Sequence, residues 1–228
     1  MSDWTEGKDF SGQTIRNITF KDAKIVAADL RNARFSGEIG GLTINDVEVG
    51  PLIAAELNRR YPERSMLRPD NVDGSKATLA MLEKQLAATY DRAGGLTEAQ
   101  QNESVDDEWS CIESLRHIIF VVDAWLSGTI KGETDPYDPI SLPPSFLPPK
   151  PPGTSIDPDA APSLDETWSV LQSRLGSLRA YVERLNPDEL LRPIEGHARS
   201  VQNSLWVIFG ELWAHNRFIN RDLDVVER

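Results

Sequence analysis

The sequence is poor in the residues that carry most soft-metal and redox chemistry. It has one cysteine, Cys111, and three histidines, His117, His197 and His215. A single cysteine excludes an internal disulfide and any CxxC pair, and it sets the expectation of a reducing, cytoplasmic setting. Positive charge is also short. Against 36 acidic residues stand 24 basic ones, a formal net charge of −12. Sequence-independent nucleic-acid binding and docking on anionic lipid both need basic surface, so neither nucleic acid nor membrane is an expected partner. No apolar run is long enough to span a bilayer. The opening MSDWTEGKDF lacks a basic stretch followed by an apolar one, so no signal peptide is expected. No glycine-rich phosphate loop is present.

What is present falls into two parts. With 228 residues, 39% of them hydrophobic, the chain has material for one large domain, or one domain and a small appendage. Residues 8–37 read KDFSGQTIRNITFKDAKIVAADLRNARFSG. Large apolar residues fall at Phe10, Ile15, Phe20, Ile25, Leu30 and Phe35, an unbroken spacing of five. Ala23, Ala28 and Ala33 precede the last three by two positions. Neither a helix nor a flat strand has this period. A fixed short period predicts a solenoid, with Phe20, Ile25, Leu30 and Phe35 pointing together into an interior. Two or three ordinary strands are the alternative. The phase slips at GEIGG, and Ile44 and Val49 mark a closing turn.

From about residue 50 the spacing is helical. It predicts a short helix over 51–61 and longer ones over 75–93, 106–127, 163–185 and 200–226. Pro51 suits a first turn, Gly94 and Gly95 a stop, and Ser163 with Glu166 a capping box. Residues 135–162 are too rich in proline for helix or sheet and read as a long crossover. The expected architecture is mainly α: a four-helix bundle with a long crossover over residues 50–228, preceded by a β segment over residues 1–49.

Three polar residues stand out within apolar helices. LRHIIFVVDAWL, residues 115–126, is apolar on all sides except for Arg116, His117 and Asp123, and such a helix is buried on most sides. In GELWAHNRF, residues 210–218, Glu211 and His215 are four apart and share a helix face. His215 lies on the inward stripe Val201, Leu205, Ile208, Leu212 and Ile219, with Glu211 beside it. His117, Glu211 and His215 can therefore face one interior. Two imidazoles and a carboxylate suit a divalent transition metal such as zinc, nickel or manganese, and three protein ligands leave room for a water or substrate. An internal hydrogen-bonded network, or a salt bridge between Glu211 and His215, is the competing account. Asp123 is a candidate support for His117. His197 reads as a loop or capping residue, Cys111 as a small buried thiol, and Trp109, Trp125, Trp206 and Trp213 as bundle packing. Arg221, one to two turns beyond His215, is a candidate anion-binding residue for a substrate, with a surface salt bridge as its alternative.

DDEWSCIESLRHIIFVVDAWL together with GELWAHNRFINRDLDVVE resembles the DinB-like family, in particular its actinobacterial members, over about residues 50–228. The units AADLR and NARFS resemble the pentapeptide-repeat family, whose fold is a square right-handed β-helix. The first resemblance implies a four-helix bundle with a metal site built from a histidine in the second helix and an i, i+4 pair in the last. His117 takes the first position, and Glu211 and His215 take the pair. Many members have histidine where this chain has Glu211. Some relatives are metal-dependent enzymes that use a low-molecular-weight thiol, among them thiol S-transferases and a mycothiol-dependent isomerase. The resemblance thus implies a metal-dependent transferase or isomerase with a small-molecule substrate. A non-catalytic binding or stress-associated protein with a vestigial metal site is the alternative. An exposed solenoid edge would suit a homodimer.

Overall fold

The structure is a computed structural model and describes residues 7–228. Two units separate, one ending at Ile39 and the other running from Gly40 to Arg228. The division falls before the hairpin.

The first unit repeats every five residues in its backbone. Gly7, Gly12, Asn17, Asp22, Ala27, Asn32 and Gly37 all have positive φ. Glycine, asparagine and aspartate are the types that tolerate this conformation, and only Ala27 departs from them. Each apolar residue of the sequence period sits two positions before one of these corners. Phe10, Phe20 and Leu30 accept turn hydrogen bonds from the N–H groups of Gln13, Ala23 and Ala33 at 3.1, 2.9 and 3.1 Å. The expected interior is absent, however. Phe20, Ile25, Leu30 and Phe35 are 44–60% exposed. A solenoid buries side chains by stacking unit on unit, and so short a segment has too few units to cover its own faces.

The second unit opens with a two-stranded antiparallel hairpin, β1 (Thr43–Ile44) and β2 (Val47–Glu48), in which Ile44 pairs with Val47. Asn45 and Asp46 form its two-residue loop with φ of 49° and 65°, the left-handed pair that matches hairpin twist. Helix α1 (Gly50–Arg60) follows, then a 3₁₀ turn over Pro62–Met66, α2 (Val72–Gly94) and the short α3 (Glu98–Gln101). Next come α4 (Cys111–Val122), continued as a π-helical segment over Asp123–Ile130, then α5 (Leu164–Glu183), the short α6 (Pro187–Leu191) and α7 (Val201–Val226). Between residues 75 and 226 the only strand-like feature is an isolated bridge from Pro193 to Ser200. Among the described residues no helix is long and apolar enough to cross a membrane.

Local chemistry explains most helix ends. Ser110, Ser163 and Ser200 each close a capping box with the residue three positions on. The second long helix begins later than its apolar pattern suggests, because Asp106 and Asp107 are left-handed and Ser110 is the cap. It also loses α geometry at Asp123, earlier than the expected stop near Gly128.

Helices α2 and α4 each pack against both α5 and α7. Leu82 and Leu86 from α2, Leu115, Ile118 and Ile119 from α4, Leu171 and Leu178 from α5, and Leu205, Ile208 and Leu212 from α7 are fully buried between them. Each such side chain contributes roughly 1.5–3 kcal/mol through its removal from water. Helix α4 is apolar all round because its outer face is covered as well. Residues 135–162 lie along it: Leu142 donates its N–H to the Arg116 carbonyl at 3.2 Å, and Arg116 Nε donates to the Ile140 carbonyl at 2.8 Å. Tyr137 stacks on Phe120 at 5.1 Å between ring centroids.

Candidate metal centre

His117 comes from the middle of α4, and Glu211 and His215 from one face of α7. One possible ligand atom from each lies within 4.8 Å of the others. The imidazoles of His117 and His215 are 4.6 Å apart between centroids, and His215 Nε2 is 3.3 Å from Glu211 Oε2. His117 is buried, the His215 side chain is 13% exposed and that of Glu211 is 42% exposed. The cluster therefore sits at the edge of the core, with the carboxylate toward water.

The tautomer of His117 follows from its partner. Nδ1 lies 2.9 Å from the carbonyl oxygen of Leu142. A carbonyl can only accept, so Nδ1 carries the hydrogen and Nε2 keeps a free lone pair. Burial, reinforced by the nearby His215, brings the His117 imidazole down to about 4, against weaker upward pulls from Leu142 and Glu211. Its ring is neutral near pH 7. The hydrogen bond with His215 holds the Glu211 carboxyl below its ordinary range, despite partial burial. One neutral imidazole with its lone pair free and one carboxylate beside a second imidazole are donors that fit a divalent transition ion.

Leu142 belongs to the crossover, so the crossover is part of the site's support. Asp123 was the expected support for His117, and it acts one step further out. Its Oδ2 accepts from the Asp138 backbone N–H at 3.0 Å and from Ser141 Oγ at 3.3 Å. Its Oδ1 accepts from Arg174 Nε at 2.6 Å, and Arg174 also bonds Asp138 at 3.1 Å. Burial pushes the Asp123 carboxyl up to about 6 against these partners. Asp123 and Arg174 thus pin residues 138–141, and the next residue presents its carbonyl to His117.

Aromatic rings wall the cluster. The Trp109 ring lies 4.7 Å from His117 and 5.8 Å from His215, so this tryptophan flanks the site rather than packing the core as expected from sequence. Phe218 meets His215 edge-on at 5.8 Å. Trp109 also lines a cleft of about 440 Å³ with Ser110, Glu113, Arg116 and Pro162. Trp125, Trp206 and Trp213 lie in packing roles: Trp206 bonds the Pro69 carbonyl, Trp213 bonds Glu63, and Trp125 sits under Arg199.

The remaining sequence candidates supply no ligand atom to the cluster. Arg221 is engaged by Glu108 at 2.6 Å and Asp222 at 2.6 Å. His197 lies in an exposed turn, its N–H on the Ile194 carbonyl. Cys111 is buried, which raises its thiol to about 12 and leaves no thiolate at neutral pH. Leu142, Trp109 and Arg174 were not singled out by sequence reasoning as site residues. A backbone carbonyl has no signature in sequence. The buried Asp123 was the available clue to Arg174.

A family model described as the DinB superfamily matches residues 81–219, more than half of the chain, and the match includes His117, Glu211 and His215. No curated protein and no solved structure matches the chain.

Proposed function

The chain belongs to the DinB superfamily, and from that premise we propose that His117, Glu211 and His215 hold a divalent transition metal for chemistry on a small molecule. The observation that supports this most is the convergence of their ligand atoms within 4.8 Å, with His117 Nδ1 committed to a carbonyl. Zinc, nickel or manganese suits the donor set. When bound, such an ion would supply Lewis acidity, making a low-molecular-weight thiol or a water acidic enough to act near neutral pH.

The protein's own residues have separable roles. His117 offers Nε2 in a fixed orientation, because Leu142 holds the other nitrogen. Glu211 brings negative charge, and its exposure keeps one side open to a ligand. Trp109 lies beside both imidazoles and separates them from a cleft of about 440 Å³ that it lines with Glu113 and Arg116. A thiol-dependent S-transferase or isomerase is the activity that this arrangement suits.

The proposal extends to the rest of the chain. The helical body is a DinB-like four-helix bundle with a long crossover. The N-terminal unit is a short pentapeptide-repeat-like β segment, as its five-residue corners support. Its exposed apolar edge suits a homodimer, and the lone buried Cys111 suits the cytoplasm. No nucleic-acid or membrane partner belongs to this reading.

One observation favours a second reading. Glu211 and His215 already satisfy each other at 3.3 Å, and many DinB-like proteins have histidine in place of the glutamate. That pair suits a non-catalytic binding or stress-associated protein with a vestigial metal site. Metal analysis of protein purified without chelators or a histidine tag separates the two. About one equivalent of a transition metal supports the first reading, and metal-free protein that takes up none on addition supports the second.

A further inference from the structure

Three arginines of the second unit lie over the rings of Trp213 and Phe218, and their partners differ. Arg221 spends its guanidinium on Glu108 and Asp222. Arg64 donates to Asn58 and to the Ala54 carbonyl. Arg217 has no carboxylate partner among the described residues. Its Nε is buried without an acceptor. Three rings hold it instead, with its guanidinium carbon 4.6 Å from the centroid of Phe218, 5.4 Å from Trp213 and 5.7 Å from Tyr61.

A guanidinium kept in place by aromatic faces loses little entropy when it binds, and its planar fork matches a carboxylate in two hydrogen bonds. The Phe218 ring under Arg217 is the same ring that meets His215 edge-on. Phe218 thus lies between Arg217 and His215; it also carries the Arg221 guanidinium carbon at 5.3 Å, so the two arginines differ in their acidic partners rather than in nearness to this ring. A chain with a formal net charge of −12 repels acids generally, so any acidic ligand needs a local cation that no carboxylate of the protein has neutralised.

We infer that Arg217 is the anchor for a carboxylate, or an anion of like shape, on the small molecule that approaches His117, Glu211 and His215. The candidate read from sequence, Arg221, is instead held by its acidic neighbours. The inference rests on the metal-site reading for where the rest of the ligand goes, and on Arg217 alone for the anion contact.

Two probes differing only in charge test it: 3-mercaptopropionate and its neutral methyl ester. In cobalt-loaded protein the sulfur-to-cobalt absorption band reports binding of each. The wild type should bind the acid about tenfold more tightly than the ester, the size expected for a charge-assisted contact. Arg217→Gln should abolish that preference, Arg217→Lys should keep part of it, and Arg221→Gln should leave it. A preference that survives Arg217→Gln, or a wild type with none, overturns the inference. The metal-free protein decides the case independently of cobalt. The Arg217 Nε–H nuclear magnetic resonance signal should shift on titration with the acid and not with the ester. If it responds to neither, the anchor is wrong. Failure of the metal reading would show separately, as protein that takes up no cobalt while this signal still moves.

Discussion

The Nδ1 of His117 and the carbonyl oxygen of Leu142 are 2.9 Å apart. This contact ties the candidate metal site to a proline-rich segment that forms no regular structure. It makes the crossover a positioning device, anchored in turn by the Arg174–Asp123 pair at 2.6 Å.

Arg174→Met should therefore weaken metal binding although Arg174 is not a ligand. It leaves Asp123 buried without its cation, at a cost on the order of 3 kcal/mol, and frees residues 138–141. A zinc competition titration should show a loss of roughly ten- to a hundredfold, the range for lost outer support of a ligand. Arg174→Lys should recover part of it, and the His117 Nδ1–H resonance should broaden or move in the methionine variant alone. Unchanged affinity in Arg174→Met would mean that the crossover does not position His117.

Metal-free stability should depend on pH through His117. Its folded value, about 4, lies below its unfolded value near 6.5. The neutral ring thus contributes stability that is full above pH 6.5 and is lost as pH falls through 4, up to about 3 kcal/mol. Asp123 has the opposite sign, because its folded value of about 6 exceeds its unfolded value. It favours folding at low pH and loses that contribution as pH rises through 6. The wild-type curve sums both, so the informative quantity is the stability gap to His117→Gln. Urea melts should show that gap changing in the variant's favour from pH 6.5 down to 4. A gap independent of pH would contradict the buried, neutral imidazole.

Glu211 should govern which metal is preferred. Replacing its oxygen donor by a softer nitrogen in Glu211→His should move selectivity from manganese toward nickel and zinc. Glu211→Gln should lower affinity for all three, since the charge is lost. Calorimetric titration checks both, and identical metal preference in wild type and Glu211→His would remove Glu211 from the ligand set.

The five-residue corners make a prediction about backbone. Ala27 has φ of 56° and Asn32 has φ of 64°. Ala27→Gly should be neutral or stabilising, while Asn32→Val forces a β-branched residue into a left-handed corner, at a cost of about 1–2 kcal/mol. Limited proteolysis should cut the first unit faster in Asn32→Val and no faster in Ala27→Gly. Equal cutting of all three proteins would mean that these corners do not hold the segment.

Legibility from sequence followed the range of the interaction. The helix start at Ser163 was readable because a cap and its partner, Glu166, lie three residues apart. The corner period was readable in Phe10 to Phe35 because each unit repeats its own chemistry. Glu211 and His215 declared themselves by sharing a face, and His117 by lying in an apolar stretch. The start at Ser110 was missed, since nothing in the apolar pattern shows that Asp106 and Asp107 turn left-handed. Asp123 was noticed as a trapped charge, yet its cation lies 51 residues away on another helix. The choice between Arg217 and Arg221 needed the positions of Glu108, Tyr61 and Trp213, which only the folded chain supplies.

The most direct test of the central claim is a titration of zinc, nickel and manganese into tag-free wild type and into His117→Ala. The wild type should bind one equivalent of at least one of these ions at the cluster. The variant keeps Glu211 and His215 but lacks the buried nitrogen, so its affinity should fall by about a hundredfold or more. Equal binding by both proteins would contradict the site built from His117, Glu211 and His215.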